Sequence, residues 1–405
     1  MLIYYKYNNF CSFNTESEFS LEAGAGKVKN RFPDNFITTE SEYDLLKTAV
    51  IVGENAGGKS NFINGLKFLR GLFDTNALVQ AVLGYINANS LTEEDNPIQK
   101  FEICFVAAND LVYFFMLEID NRGIVSEELV KQSKRKLSKT TVFKITRNKE
   151  GLYEAILGKG KDITSVLKNS NNSYGLFVSK LALLGNPDAV AAVEWFLTKL
   201  RPGTLVTDEA EDAIKRQADI KIIKDPRYVD IFKMVDYSIC GIEVDEDKPY
   251  SKSLIIRKDG NGNYLKRELS ADSTGVREFF AWAVQIFRVV YENKIVFADE
   301  MDRVLNPILS DRVIAFINGM EHQGQFIFST HNVLHLNLKT YMKEQIYFIT
   351  KSKDNLTSEI YSLSDFPDVR YETTKIYEFY MKGILGGTAF EYKNKNPSEK
   401  ICCFL

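Results

Sequence analysis

Apolar residues run unbroken through Ala49–Val52. A glycine-rich octet follows, and then apolar positions recur at Phe62, Ile63, Leu66, Leu69 and Leu72. An unbroken apolar run bounded by turn residues reads as a buried strand, and a three-to-four spacing reads as one face of a helix. The opening LIYYKYNNFCSFN reads as a strand entering a turn. From about residue 98 the pattern changes to short apolar or alternating pieces separated by AAND and DNRG, which predicts an antiparallel sheet, and TTVFKITRNKEGLYEAIL adds a hairpin. Residues 160–240 read as mainly helical, with a Gly-Asn-Pro break, after which SKSLIIRKD and NYLKREL form two strands around the turn GNGN. The last third alternates: helix 274–291, strand 295–299, helix 308–319, then strands 325–329 and 345–350. Alternation of helices with apolar strands predicts an α/β fold on a largely parallel sheet, here split by a long insertion.

Composition narrows this picture little. The 405 residues suffice for one large domain or two ordinary ones, and 45% apolar with 26% charged residues is ordinary for a globular chain. A net charge of −3 supplies no global field towards nucleic acid or an anionic membrane. No apolar run is long enough to span a bilayer, and the N-terminus lacks the small-residue cleavage site of a signal peptide. Cys11, Cys104, Cys240, Cys402 and Cys403 show neither metal spacing nor a disulfide framework, which fits a reducing cytoplasm. The terminal CCFL matches a prenylation box, but no polybasic stretch precedes it, so a coincidental tail is the preferred reading. The basic run KQSKRKLSK, residues 131–139, is either a solvated loop or a hairpin tip touching nucleic acid; without interleaved aromatics the solvated loop is preferred.

Candidate chemistry concentrates at a few element ends. GENAGGKS, Gly53 to Ser60, fits the P-loop pattern in full. Glycines let backbone N–H groups curl around phosphate oxygens, and the helix that follows turns its positive end to the same anion. Gly53, Asn55, Gly57, Gly58, Lys59, Ser60 and Asn61 are the candidate nucleotide-binding set, with Lys59 reaching the β- and γ-phosphates and Ser60 ligating Mg²⁺. IVFADE places Asp299 and Glu300 at the end of a buried strand. Asp299 would hold Mg²⁺ through water and Glu300 would polarise the attacking water, although two acids there can also simply cap the next turn. QFIFSTH puts His331 at a strand's carboxyl end, the ligand edge of an α/β sheet. In LSADSTGVREFFAW, Ser273, Thr274 and Gly275 open a helix whose apolar stripe runs 276, 279, 280, 283, 286, 287 and 290. A hydroxyl and free N–H groups at a helix start bind an anion, or they are an ordinary N-cap.

The order of these pieces is that of ABC-type ATPases and differs from the order in Ras-like GTPases or hexameric AAA ATPases. The chain resembles the RecF/SMC group of ABC-type ATPases. More closely, it resembles the single-chain ATPases of bacterial phage-defence and abortive-infection systems, the RloA/AbiL-like proteins. NNFCSFN, GENAGGKSNF, SADSTGVREFFAW, ADEMDRVLNP, FSTHNVLHLN and the ending IYSLSDF with YMKGILGGTAF carry the resemblance. It implies a P-loop ABC-type ATPase head, a mixed-sheet core with an antiparallel β-subdomain, over residues 1–75 and 255–405. Residues 76–160 would form the antiparallel part and 161–254 a mainly helical insertion. By the same resemblance ATP and Mg²⁺ are the cofactors, Glu300 and His331 are catalytic, Ser60 and Asp299 serve the metal, and Asn306 ends the D-loop. Ser273, Thr274 and Gly275 would act in trans on a partner's ATP. Three positions depart from the family pattern: Cys11 stands for a frequent Arg, Asn306 for a frequent His and Thr274 for a Gly. The family's Q-loop glutamine has no counterpart that the sequence identifies.

Three functions follow as expectations. The first is an ATP-driven sensor or switch in antiviral defence, dimeric or of higher order through its heads, which controls a separate nuclease or toxin; in related systems that effector is often Toprim-like. The alternative is a RecF-like DNA-repair ATPase that clamps nucleic acid, which the acidic balance and the lack of coiled-coil heptads weaken. The third is a nucleotide-locked scaffold that hydrolyses rarely. A membrane transporter subunit does not fit, because the insertion is too long and SADSTG is far from the transporter signature.

Overall fold

The computed structural model describes residues 1–73, 97–133, 136–158, 161–162, 175–203, 213–301, 305–352, 355–372 and 374–386. The tail that contains Cys402, Cys403 and CCFL lies outside the described residues. The first part of the chain forms β1 (Leu2–Asn8), β2 (Ser17–Ser20), β3 (Phe36–Thr38), β4 (Asp44–Leu46), β5 (Thr48–Val52) and α1 (Lys59–Gly71). Then come β6 (Gln99–Val106), β7 (Val112–Asp120), β8 (Gly123–Ser133), β9 (Lys136–Arg147), β10 (Tyr153–Leu157) and β11 (Lys161–Asp162). A helical stretch follows: α2 (Phe177–Leu183), α3 (Pro187–Glu194), a π-turn at Trp195–Lys199, β12 (Leu200–Pro202), α4 (Ala213–Ile223) and α5 (Pro226–Phe232). The remainder is β13 (Ile239–Glu243), β14 (Leu254–Lys258), β15 (Tyr264–Glu268), α6 (Thr274–Glu292), β16 (Ile295–Ala298), α7 (Pro307–Gly319), β17 (Gln325–Thr330), β18 (Ile346–Lys351), β19 (Ser358–Ser362) and α8 (Ile376–Met381).

The central sheet has the order β12-β16-β17-β5-β18-β19; its first five strands are parallel and β19 closes it antiparallel. Burial on both faces explains the unbroken apolar runs. Along β5, Ala49 and Ile51 face one core while Val50 and Val52 face the other. In β16, Ile295 and Phe297 alternate in the same way with Val296 and Ala298. Helix α6 covers the second face. All seven positions of its expected stripe, Val276, Phe279, Phe280, Ala283, Ile286, Phe287 and Val290, are buried. Each large apolar side chain so buried contributes ~2 kcal/mol. The helix stops where Asn293 takes the left-handed conformation at φ 54°.

The first face packs on α1 and on an antiparallel eight-stranded sheet of order β11-β10-β9-β8-β7-β6-β1-β2. The antiparallel strands after residue 98 therefore continue the sheet begun by β1. One buried side chain joins the two sheets. Gln325, at the start of β17, accepts from the N–H of Leu2 at 2.6 Å and donates to the carbonyls of Leu2 at 3.0 Å and Leu46 at 3.1 Å.

Two stretches differ from the pattern-based reading. Within the region expected to be helical, Leu200–Pro202 forms a strand parallel to β16, so this segment supplies an edge of the central sheet. Three residues are too short to leave a periodic signal. The flanks of the basic run 131–139 are strand rather than loop, because they belong to β8 and β9. Lys131 bonds Asp188 at 2.6 Å, and the Lys139 amine lies 3.8 Å from the centre of the Phe114 ring. Residues 134 and 135 lie outside the described residues.

Helix α2 is fastened by Glu127 of β8, which is fully buried and accepts from the N–H groups of Phe177 and Val178 at 2.7 Å each. Burial pushes this carboxyl up to about 7, against the two N–H bonds and Lys180, which pull it down. The folded protein therefore keeps a proton that the unfolded chain releases near its ordinary value of 4.5. Stability falls as pH rises between those values, by ~3 kcal/mol from this group alone. Thermal unfolding at pH 5 and pH 8 should show that loss in the wild-type protein and a smaller one in Glu127→Gln. Equal pH slopes for the two would refute it.

Candidate functional site

Strand β5 is buried at all five positions and ends at Val52, with Gly53 next. The chain must turn there against the neighbouring strand: a Cβ on Gly53 would lie 2.2 Å from the carbonyl oxygen of Ile349 in β18. The loop then enters α1 through Gly58, at φ 118°, where a Cβ would sit 2.4 Å from Ser358 Oγ. Neither position accepts a side chain, so the loop's N–H groups can close into a concavity above the start of α1. Asn55 at the rim is exposed.

The Lys59 side chain is buried and folded back over this loop. Its amine donates to the carbonyls of Gly53 at 2.7 Å and Glu54 at 2.9 Å and lies 3.4 Å from His331 Nδ1. Ser60 Oγ donates to Asp299 Oδ2 at 2.7 Å. Ser329 Oγ donates to the other carboxylate oxygen of Asp299 and accepts from the N–H of Glu300 at 2.9 Å. Parallel pairing explains the meeting, because Ala298 is level with Phe328, and Asp299 therefore falls beside Ser329. Glu300 has φ 51°, a left-handed backbone that costs a non-glycine residue ~1–3 kcal/mol and that recurs at functional sites. Gly53, Lys59, Ser60, Asp299, Glu300 and His331 are thus brought to one edge of the sheet.

Sequence reasoning missed three hydroxyls around them. Besides Ser329, Ser358 of β19 donates to the carbonyl of Gly57 at 2.7 Å, and its Oγ pairs at 2.7 Å with Ser12 Oγ, whose own proton serves that bond. Ser12 Oγ also accepts from Asn61 Nδ2 at 2.9 Å, so Asn61 belongs to this support under the loop. The serines belong to segments that meet the loop only in three dimensions, and only FSTH hinted at one of them. The other two histidines are structural. His322 is buried between Ile317 and Gly324, where burial lowers its pKa, and buried His335 packs on Phe328.

Ser273, Thr274 and Gly275 stand apart from this cluster. They are exposed, and no hydrogen bond joins them to the P-loop. Ser273 caps α6, its Oγ accepting from the N–H of Val276 at 3.4 Å, and a Cβ on Gly275 would meet nothing within 4 Å. Asn306 caps α7 and accepts from the N–H of Leu309 at 3.0 Å; residues 302–304 between it and Glu300 lie outside the described residues.

A hard divalent cation such as Mg²⁺ takes oxygen ligands and completes its shell with water and phosphate. Ser60 Oγ and Asp299 Oδ2, already paired, are such a donor set. Among the described residues no group of three or more His, Cys, Asp or Glu side chains forms an alternative metal site, and no helix is long and apolar enough to cross a membrane.

Comparison with known proteins bears on the fold and the family. No curated protein matches the chain. Three solved SMC heads resemble it over 89% of its length. They are the SMC head domain from Thermotoga maritima (13% identity, 98% of that chain, TM-score 0.44), an SMC head bound to the C-terminal winged-helix domain of ScpA (12%, 97%, 0.50) and a Pyrococcus furiosus SMC head with an extended coiled coil bound to the C-terminal domain of ScpA (12%, 96%, 0.42). At these identities the likeness speaks to fold, which is that of an SMC-head, ABC-type ATPase. Residues 49–337, well over half of the 405, match the family model described as "AAA domain, putative AbiEii toxin, Type IV TA system", and the chain belongs to that family of ATPase domains.

Proposed function

We propose that this protein is a Mg²⁺-dependent ATPase whose head pairs with a second copy around ATP and thereby switches a separate effector, a nuclease or toxin, in bacterial antiviral defence of the RloA/AbiL-like kind. The observation that carries the catalytic part is the convergence of three motifs far apart in sequence: Ser60 on Asp299, Asp299 on Ser329, and Lys59 beside His331.

In this reading the loop N–H groups from Asn55 to Ser60 hold the β- and γ-phosphates, and Lys59 exchanges its two carbonyl partners for phosphate oxygens. Ser60 and Asp299 hold Mg²⁺, which neutralises phosphate charge when bound. Glu300 accepts a proton from the attacking water, and its strained backbone fixes the direction of its side chain. His331 donates to the γ-phosphate from the opposite side. Ser273, Thr274 and Gly275 are exposed and make no hydrogen bond to their own loop; in this reading they complete the site of the partner, with Asn306 alongside. A cytoplasmic location follows from the expected reducing compartment. Lys131 and Lys139 of the basic run have intramolecular partners and lend the DNA-clamping alternative no support.

Lys59→Ala should weaken ATP binding about a hundredfold, the worth of a charge-assisted hydrogen-bond set, in a fluorescent-nucleotide titration; normal affinity would sink the phosphate site. Glu300→Gln should cut turnover by about a hundredfold or more and accumulate an ATP-dependent dimer in light scattering, whereas a variant that stays monomeric with ATP would contradict head pairing. Ser358→Ala removes the support of Gly57 and should lower nucleotide affinity about tenfold with little change in unfolding temperature. An unchanged affinity would show that the loop holds its shape without that hydroxyl.

A further inference from the structure

The start of α6 is tied to the ribbon β13–β14–β15 by one guanidinium. Arg257 of β14, only 15% exposed, bonds Asp236 Oδ2 through Nε at 2.8 Å and lies 2.8 Å from Asp272 Oδ2 through Nη2. Asp272, 6% exposed, accepts the N–H of Ser273 on its other oxygen at 3.1 Å. Asp236 is held in turn by the N–H and hydroxyl of Ser238. Burial works against the charge on Arg257, but its two carboxylates outweigh it and keep the guanidinium protonated. Two backbone bonds, Leu269 to Ser253 and Ser270 to Ser251, fasten the approach to the helix at 2.9 Å each.

This placement creates an electrostatic problem. Asp272 is the residue immediately before the cap that, in the reading above, meets a partner's γ-phosphate. A bare carboxylate there would repel that phosphate at close range, where screening is weak. We propose that Arg257 is a positioning residue for the trans contact: it masks the charge of Asp272 and fixes the angle at which Ser273 and the α6 N–H groups are presented to the second head. The proposal rests on the head-pairing reading. It makes the ribbon, whose edge strand β15 is exposed at all five positions, the element through which the signature is set.

The test is steady-state ATP hydrolysis, with ATP binding measured separately on dilute monomer. Arg257→Met should raise KM for ATP about tenfold while monomer binding stays at the wild-type value. Adding Asp272→Asn to that variant removes the unmasked charge and should return KM to within about threefold of wild type. Arg257→Lys, which keeps the charge but loses the fork, should also stay within about threefold and remains informative if the methionine variant does not fold. Wild-type KM in Arg257→Met, or no rescue by Asp272→Asn, would overturn the masking role; a purely structural role predicts no rescue. Ser273→Arg is the control for the underlying reading. If it hydrolyses ATP normally, head pairing fails and this proposal falls with it; if it is inactive while Arg257→Met is normal, only this proposal falls.

Discussion

The register of three parallel strands is the constraint on which the rest of the molecule depends. Thr330 pairs with Val52 and Ala298 with Phe328. As a result the ends of β5, β16 and β17 deliver Gly53, Asp299 and His331 to one edge of the sheet. A slip of one residue would do more than misplace a motif. It would turn every side chain of the strand to the opposite face, driving the Phe326 and Phe328 set into the wrong core. Packing and chemistry are therefore specified together, by the same hydrogen-bond ladder.

The site concentrates costs that this ladder can sustain. Glu300 occupies a backbone region that disfavours its side chain, the amine of Lys59 is buried, and the Asp299 carboxylate is shared between two hydroxyls. Each would be unstable on a free loop. Here the adjoining strands are buried on both faces, and the Ser12–Ser358 pair props the loop from below. The signature residues follow a different logic, since they are left exposed at a helix start with no hydrogen bond to the P-loop of their own chain.

Much of this was legible in the sequence because it is local. An apolar run, a glycine octet and a helical stripe each lie within about twenty residues; every expected position of the α6 stripe is buried, although Ala281, Trp282, Val284 and Val289 widen the buried face beyond it. The α/β fold on a largely parallel sheet was legible for the same reason, whereas its mixed character was implied by the family resemblance. What escaped depends on contacts across hundreds of residues: the support of Gly57 by Ser358, the relay through Ser329, and the entry of Leu200–Pro202 into the central sheet. A serine in a strand carries no pattern that says which backbone it will touch. Nor did KQSKRKLSK announce that Lys131 would be taken by Asp188. Composition reads charge, whereas pairing is a property of the fold.

Gln325 has a mechanical consequence. Its amide bonds Leu2 in both directions and Leu46 once, so it works as a rivet between the strand that carries His331 and the first strand of the antiparallel sheet. Sliding β17 along its axis would shear all three bonds at once, with no water at hand to replace them. The two sheets cannot creep past one another independently. Their registers form a single degree of freedom, and a displacement imposed at either sheet is transmitted to the other as the movement of one body.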